Sequence, residues 1–140
     1  MKKSPRRPMT TSERMACIPS KNTAPEMIVR RILHSLGYRY RLHRREIPGT
    51  PDVVFARRRK VIQVHGCFWH QHSGCKAAHL PLSRLEYWQP KLARNVTRDI
   101  VSLEALSTAG WDVLVLWECE IKRGGDIQER LVRFLGPPAG

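Results

Sequence analysis

Eleven consecutive residues, His65-Gly66-Cys67-Phe68-Trp69-His70-Gln71-His72-Ser73-Gly74-Cys75, hold three of the six histidines and two of the four cysteines around an adjacent aromatic pair. Thiolates and imidazoles at this density are ligands for a borderline-soft cation. Cys67-x4-His72-x2-Cys75, completed by Cys119 from far along the chain, makes a Cys3His set. Four protein ligands leave no open position, so the set fits a structural zinc site rather than a catalytic one. His70 competes with His72 as the histidine of that set, and unligated buried cysteines are the alternative. Cys17 stands alone.

A second chemistry is offered by Pro51-Asp52 after a glycine turn, with Gln63-Val64-His65 on the next strand. The arrangement resembles the Pro-Asp…(Asp/Glu)-x-Lys pattern of restriction-endonuclease-like nucleases, with Gln63 in place of the second carboxylate and His65 in place of the lysine. By spacing alone, Asp52 is equally a solvated aspartate at a strand start. The neighbouring imidazoles add weight to the chemical reading. Phosphodiester hydrolysis needs charge stabilisation on the phosphoryl oxygens, a base for water and an acid for the leaving oxygen. One carboxylate and a backbone carbonyl can hold Mg2+, which keeps most of its waters. His65 and His70 are imidazoles able to move protons near pH 7.

Composition narrows the partner. Lys and Arg total 25 against 12 acidic residues, a formal charge of +13. Basic side chains displace counterions from nucleic acid, so this excess points to a polyanionic partner. An anionic membrane would suit the charge, but there is no long apolar span and no signal-peptide pattern. Two disulfides would need an oxidising compartment, for which nothing else speaks. The expectation is a cytoplasmic bacterial protein, nucleoid-associated when bound to DNA. The length of 140 residues and hydrophobic fraction of 41% suit one domain.

The elements that must position these groups follow from caps and periodicity. Residues 1–22 read as a basic, flexible arm with a short helix over Ser12–Ile18, and 23–140 as a single domain, which the nuclease-like pattern above would make an endonuclease domain with a DNA-binding arm. Thr23-Ala24-Pro25-Glu26 opens a helix with a capping box. Met27, Ile28, Ile32, Leu33 and Leu36 carry its apolar face, and Gly37 ends it. Tyr38, Tyr40 and Leu42 alternate with Arg39, Arg41 and His43 as a half-buried strand. Ile47–Pro51 is a turn. Asp52–Ala56 and Lys60–His65 are strands joined by Arg57-Arg58-Arg59, a solvated turn that touches phosphate non-specifically. Ser83 with Glu86 caps a helical region reaching Ala109, which Pro90 is expected to kink or divide. Trp111–Trp117 is an apolar strand, and Asp126 opens a last helix through Leu135. The class is α/β: a restriction-endonuclease-like αβββαβ core with a structural zinc site and a flexible basic N-terminal arm.

With these elements in order, the sequence resembles the very short patch repair (Vsr) endonucleases. The resemblance rests on Thr23–Glu26, Pro48-Gly49-Thr50-Pro51-Asp52, His65–His72, Glu86-Tyr87-Trp88, Asn95-Val96-Thr97-Arg98-Asp99 and Trp117-Glu118-Cys119, which occur in the family's order over roughly residues 10–121. It implies a Mg2+-dependent nickase that cuts 5′ to the mispaired thymine of T·G mismatches left by 5-methylcytosine deamination. It further implies that Asp52 and the Val64 carbonyl hold Mg2+, that His70 activates water, and that His65 and Glu26 support the site. Asp99 would orient His70. Phe68 and Trp69 would wedge beside the mismatch from the major groove and Met15 from the minor groove. A T·G wobble pair stacks and pairs less well, so opening the duplex there costs less. Double-stranded DNA and a MutL-type repair protein are the implied partners, and a monomer suffices for a nickase. The arm departs from the family in reading Cys17-Ile18-Pro19-Ser20, where relatives carry more basic residues.

Structural readings stand beside these roles. Glu26 fits its capping box as well as a catalytic site. Trp88, Trp111 and Trp117 read as core, His34 as structural, and His43 and His79 carry no assigned role. Two other functions remain open: a different nuclease on the same fold, and a zinc-stabilised DNA-binding module without catalysis. The aromatic pair inside the cysteine loop argues against the first, and Asp52 with His65 and His70 against the second.

Overall fold

The computed structural model describes residues 22–80 and 83–138. The arm, with Cys17, Met15 and the short helix expected over Ser12–Ile18, lies outside them.

Helix α1 spans Ala24–Ser35, with Thr23 Oγ1 accepting from the Glu26 N–H at 3.4 Å and Pro25 in the first turn. It ends at Gly37, whose φ of +89° is a left-handed conformation that glycine adopts at little cost. Strand β1 is only Arg41–Leu42. The alternation predicted from Tyr38 is present as burial, with Tyr38 and Tyr40 edge-on to Phe55, but pairing starts later. The reason is the partner: β2 is only Val53–Phe55, and the register that sets Arg41 opposite Val54 carries residues 38 and 39 past its end.

Strand β3, Lys60–His65, pairs antiparallel with β2 and parallel with β4, Asp112–Trp117, in the sheet order β1-β2-β3-β4. The crossover from β3 to β4 is carried by α2, Leu85–Thr108. Two helices follow, α3 at Glu118–Arg123 and α4 at Ile127–Leu135. The sequence reading has no counterpart to α3, because six residues are too few to display a helical period. Among the described residues, no helix is long and apolar enough to cross a membrane.

Strand side chains alternate between faces. Val53, Phe55, Ile62 and Leu116 join Val29 and Leu33 of α1, Ile121 of α3, and Ile127, Leu131 and Leu135 of α4 in one core. Val54, Val61 and Leu106 of α2 form the other with Ile47, Trp111 and Val113. The same parity puts Asp52, Gln63, His65 and Trp117 on the α2 face. That face is apolar at Val61 and becomes polar toward the end of β3.

Three expectations are corrected here. Ser83 does not cap α2: the cap position is Arg84, at φ +58°, with no side-chain capping bond. Pro90 does not divide the helix. Losing one backbone bond costs about 3 kcal/mol, and the burial of Trp88 and Leu92 on either side of Pro90 offsets it. The basic turn is not merely solvated. Arg58 donates to the carbonyls of Leu135 and, at 2.9 Å, Pro137, and Lys60 donates to Phe134 O. Arg59 reaches Ala109 O at 2.6 Å. These cations satisfy the last carbonyls of α4 and α2, where the helix dipoles are negative.

Candidate active site and cysteine cluster

The loop after β3 is folded by its own backbone bonds: His70 N–H to Gly66 O at 3.1 Å, His72 N–H to Cys67 O at 2.9 Å, and Cys75 N–H to His72 O at 3.2 Å. Asn95 of α2 clamps it by donating to Trp69 O at 3.1 Å. These turns send side chains in three directions.

Cys67, His72 and Cys75 meet Cys119, the second residue of α3, with all four ligand atoms within 4.8 Å of one another. His72 Nδ1 lies 3.7 Å from Cys67 Sγ and 3.4 Å from Cys119 Sγ. A tetrahedral ion with bonds of about 2.3 Å to sulfur and about 2.05 Å to nitrogen would hold such atoms about 3.6 Å apart. The donor set and spacing therefore fit a zinc-like cation. Without one, burial pushes the Cys67 thiol up to about 12. His72, not His70, is the histidine in this cluster.

His65 and His70 point the other way. Their rings stack at 3.9 Å with 4° between planes. His70 Nδ1 bonds Asp99 Oδ2 of α2 at 2.6 Å, which leaves Nε2 as the second ring nitrogen. His65 Nε2 bonds Gln63 Oε1 at 2.9 Å, while its Nδ1 is buried without a hydrogen-bond partner. Burial first and the neighbouring His70 second push His65 down to about 4, so its ring is neutral at pH 7. An unpaired buried acceptor costs about 1–3 kcal/mol, a cost that a group bonding it from the cleft would remove. Trp117 links the two arrangements, stacking on His72 at 4.1 Å and meeting His65 edge-on at 5.1 Å. Its expected role as plain core is too narrow.

Asp52 precedes β2, and its Oδ2 accepts from the Val64 N–H at 2.7 Å. The N–H and C=O of one strand residue face the same edge, so the Val64 carbonyl faces that edge too, beyond the end of β2. Burial, with the Glu26 carboxylate next to it, pushes Asp52 up to about 6 against the lowering effect of the Val64 bond. Glu26 is only 1% exposed. Its carboxylate does not complete the capping box on Thr23. It accepts instead from Asn22 N–H at 3.3 Å, Arg30 at 3.3 Å and His43 Nε2 at 3.0 Å. Glu26, His43 and Asp52 bring a ligand atom each within 4.8 Å of the others. The two carboxylates, Glu26 buried and Asp52 half-buried, are oxygen donors of the kind a hard divalent cation takes.

The sequence reading assigned His43 nothing. The available signal was hairpin arithmetic: Leu42 pairs with Val53, so His43 falls opposite Asp52. Gln63, at the place of the second carboxylate in the nuclease pattern, fixes His65. Gly49, at φ +76°, lets the preceding turn pass close by: a Cβ there would fall 2.8 Å from Ser102 Cβ and 3.2 Å from Gln63 Nε2.

Phe68 and Trp69 take the third direction. They are half-buried, edge-on to the buried Trp88 at 5.4 and 6.0 Å, with Lys91 Nζ 5.6 Å from the Trp69 ring. A cleft of about 1110 Å³ is lined by Asp52, Val64, His65, His70, Asp99 and this aromatic pair.

Carboxylates beside an oriented imidazole are the groups that general-base hydrolysis uses. The sequence profile of the DNA mismatch endonuclease Vsr family matches residues 6–76. Type II nicking enzyme V.XorIIP of Xanthomonas oryzae is 53% identical over 123 residues, 88% of this chain and 90% of its own length. Type II nicking enzyme V.NmeAIP of Neisseria meningitidis is 41% identical over 129 residues, 90% and 91% of the two chains. DNA mismatch endonuclease Vsr of Escherichia coli is 38% identical over 113 residues, 81% and 72%. The chain belongs to the Vsr family of DNA endonucleases.

Proposed function

We propose that this protein nicks one strand of duplex DNA, 5′ to the mispaired thymine of T·G mismatches left by 5-methylcytosine deamination. The observation that carries the reading is the convergence on one cleft of Asp52, Val64, His65, His70, Asp99, Phe68 and Trp69. Names of relatives as nicking enzymes and as a mismatch endonuclease support it.

Asp52 and the Val64 carbonyl, with Glu26 behind them, would hold Mg2+. The ion supplies charge stabilisation at the phosphoryl oxygens. His70, fixed at Nδ1 by Asp99, keeps Nε2 as the base that takes a proton from the attacking water. Neutral His65 offers its unpaired Nδ1 as an acceptor that orders a group in the cleft. Phe68 and Trp69 enter the opened mismatch, where unstacking costs least, with Met15 of the arm on the opposite side. The excess of +13 charges draws the phosphate backbone. Zn2+ on Cys67, His72, Cys75 and Cys119 is a structural clamp that holds the wedge and the base at a fixed separation.

The test incubates the protein with matched, T·G-mismatched and branched duplexes, with Mg2+ or EDTA, beside Asp52→Ala. The expected result is a single nick in the T·G duplex alone, lost with EDTA and with Asp52→Ala. Equal cutting of the matched duplex overturns the specificity. Binding without cutting points to a non-catalytic module.

A further inference from the structure

Three residues meet at the carboxylate site from separate places in the fold: Glu26 from α1, His43 just after β1, and Asp52 just before β2. His43 is the one that touches both carboxylate residues. Its side chain reaches Glu26 Oε2 at 3.0 Å, and its backbone N–H donates to Asp52 O at 3.2 Å. A φ of +47° is uncommon for a residue with a side chain. It breaks the strand alternation at the position where β1 ends. Glu26 has another cationic partner, Arg30 at 3.3 Å. Arg30 sits one turn along the same helix and also bonds Asn22 Oδ1 at 2.7 Å. It therefore moves with Glu26 and cannot fix α1 relative to β2. His43 can, because its backbone is part of the β1–β2 ladder.

We propose that His43 is a positioning residue of the divalent-metal site: its imidazole holds the Glu26 carboxylate beside Asp52, so that a second negative charge backs the carboxylate that meets the ion. This rests on the Mg2+ reading above and adds a residue to it. Of the three residues only Asp52 lines the cleft; Glu26 backs Asp52, and His43 acts through Glu26. Groups that orient a metal's ligands from behind typically change metal affinity 10- to 100-fold when removed.

The test uses metal alone, without DNA. Mn2+ is titrated into the full chain and the free ion read by electron paramagnetic resonance, with Mg2+ as competitor. His43→Leu is expected to weaken binding of both ions by about 10- to 100-fold. His43→Gln, whose amide N–H reaches the Nε2 position, should recover most of the affinity, and His43→Asn, one carbon shorter, should not. On a cleavable duplex, the His43→Leu defect should be overcome at saturating metal, so that metal dependence shifts while the maximal rate is kept. Where His43→Leu fails to fold, the Gln and Asn variants carry the same contrast. Unchanged Mn2+ affinity in His43→Leu, or equal affinity in Gln and Asn, overturns the proposal. So does nitrogen coupling to bound Mn2+ that disappears in His43→Leu, since the imidazole would then be a direct ligand. Failure of the wild-type chain to bind either ion overturns the Mg2+ reading itself, a distinct outcome.

Discussion

Of the three clusters of ligand-type side chains among the described residues, the Cys3His set and Glu26–His43–Asp52 sit at the same end of the sheet, and they are assembled in opposite ways. In the Cys3His cluster, Cys67, His72 and Cys75 come from one nine-residue loop and only Cys119 is distant. Its contacts are chiefly among its own members, with Trp117 stacked on His72. In the other cluster, Glu26, His43 and Asp52 share no element: His43 bonds Glu26 across from the hairpin, and Val64 of β3 holds Asp52. The first is a local arrangement that ties its loop to α3. The second exists only once α1 and the hairpin have packed. A cluster of the first kind is expected to matter for stability, and one of the second kind for chemistry, because buried like charges strain the fold that holds them.

The sharpest way to break this contrast is to exchange the consequences. Asp52→Asn should lower nicking by on the order of 10³-fold or more by removing the charge that binds the ion. It should leave the melting temperature of the metal-free protein unchanged or higher, because Asn keeps the acceptor for Val64 N–H. A large fall in melting temperature would show that this carboxylate is structural. Cys119→Ser should do the reverse. Losing a cation held at about 1,000-fold its Kd removes about 4 kcal/mol. Calorimetry should show a lower transition, and metal analysis of the purified variant should find the zinc gone. An equally stable, zinc-free variant would dissolve the distinction.

Asp99→Asn probes the side of the cleft that belongs to neither cluster. It leaves a hydrogen bond to His70 Nδ1 available but removes the charge and the fixed tautomer. Nicking should fall by about 10²-fold with little change in duplex affinity. A purely affinity-based loss, seen in a binding titration, would reassign Asp99 to DNA contact.

The smallest effect expected is in pH dependence. Asp52, pushed up to about 6, favours the folded state while protonated. Its contribution is present at acid pH and lost as pH rises through about 6. His65, pushed down to about 4, favours the folded state while neutral. Its contribution is present above the usual histidine range near 6.5 and lost as pH falls toward 4. The two oppose each other between about pH 4 and 6.5, so their contributions largely offset in the metal-free wild type. Asp52→Asn should make stability rise with pH in that window, and His65→Ala should make it fall. Parallel profiles from denaturant titrations of the three proteins would show that neither group carries the shift.

The same contrast explains what could be read from the chain. The zinc-like set was legible because its spacing is local: residues at 67, 72 and 75 must lie close whatever the rest of the fold does. The order of helix, three strands, helix, strand and helix was legible from caps and alternation, and α3 escaped because it is a single short element. His43 was not legible as a site residue. Its neighbours are basic, it follows an alternating strand, and only the pairing of β1 with β2 puts it opposite Asp52. Arg58, Arg59 and Lys60 misled in the other direction. Their charge looked like a phosphate contact, yet helix ends 50 or more residues away take it up.

Sequence alone determined the chemistry on offer: thiols and imidazoles at ligand spacing, an aspartate after a glycine turn, a basic surface and an aromatic pair. These follow from residue type and short-range geometry, which the chain specifies without help. Tertiary structure decided which groups are paired. It gave His72 to the cysteines and His70 to Asp99, turned Glu26 from its helix cap toward His43, and left His65 Nδ1 buried and unpaired. The physical reason is that a buried charge or imidazole takes its state from whatever surrounds it, and those surroundings come from distant segments.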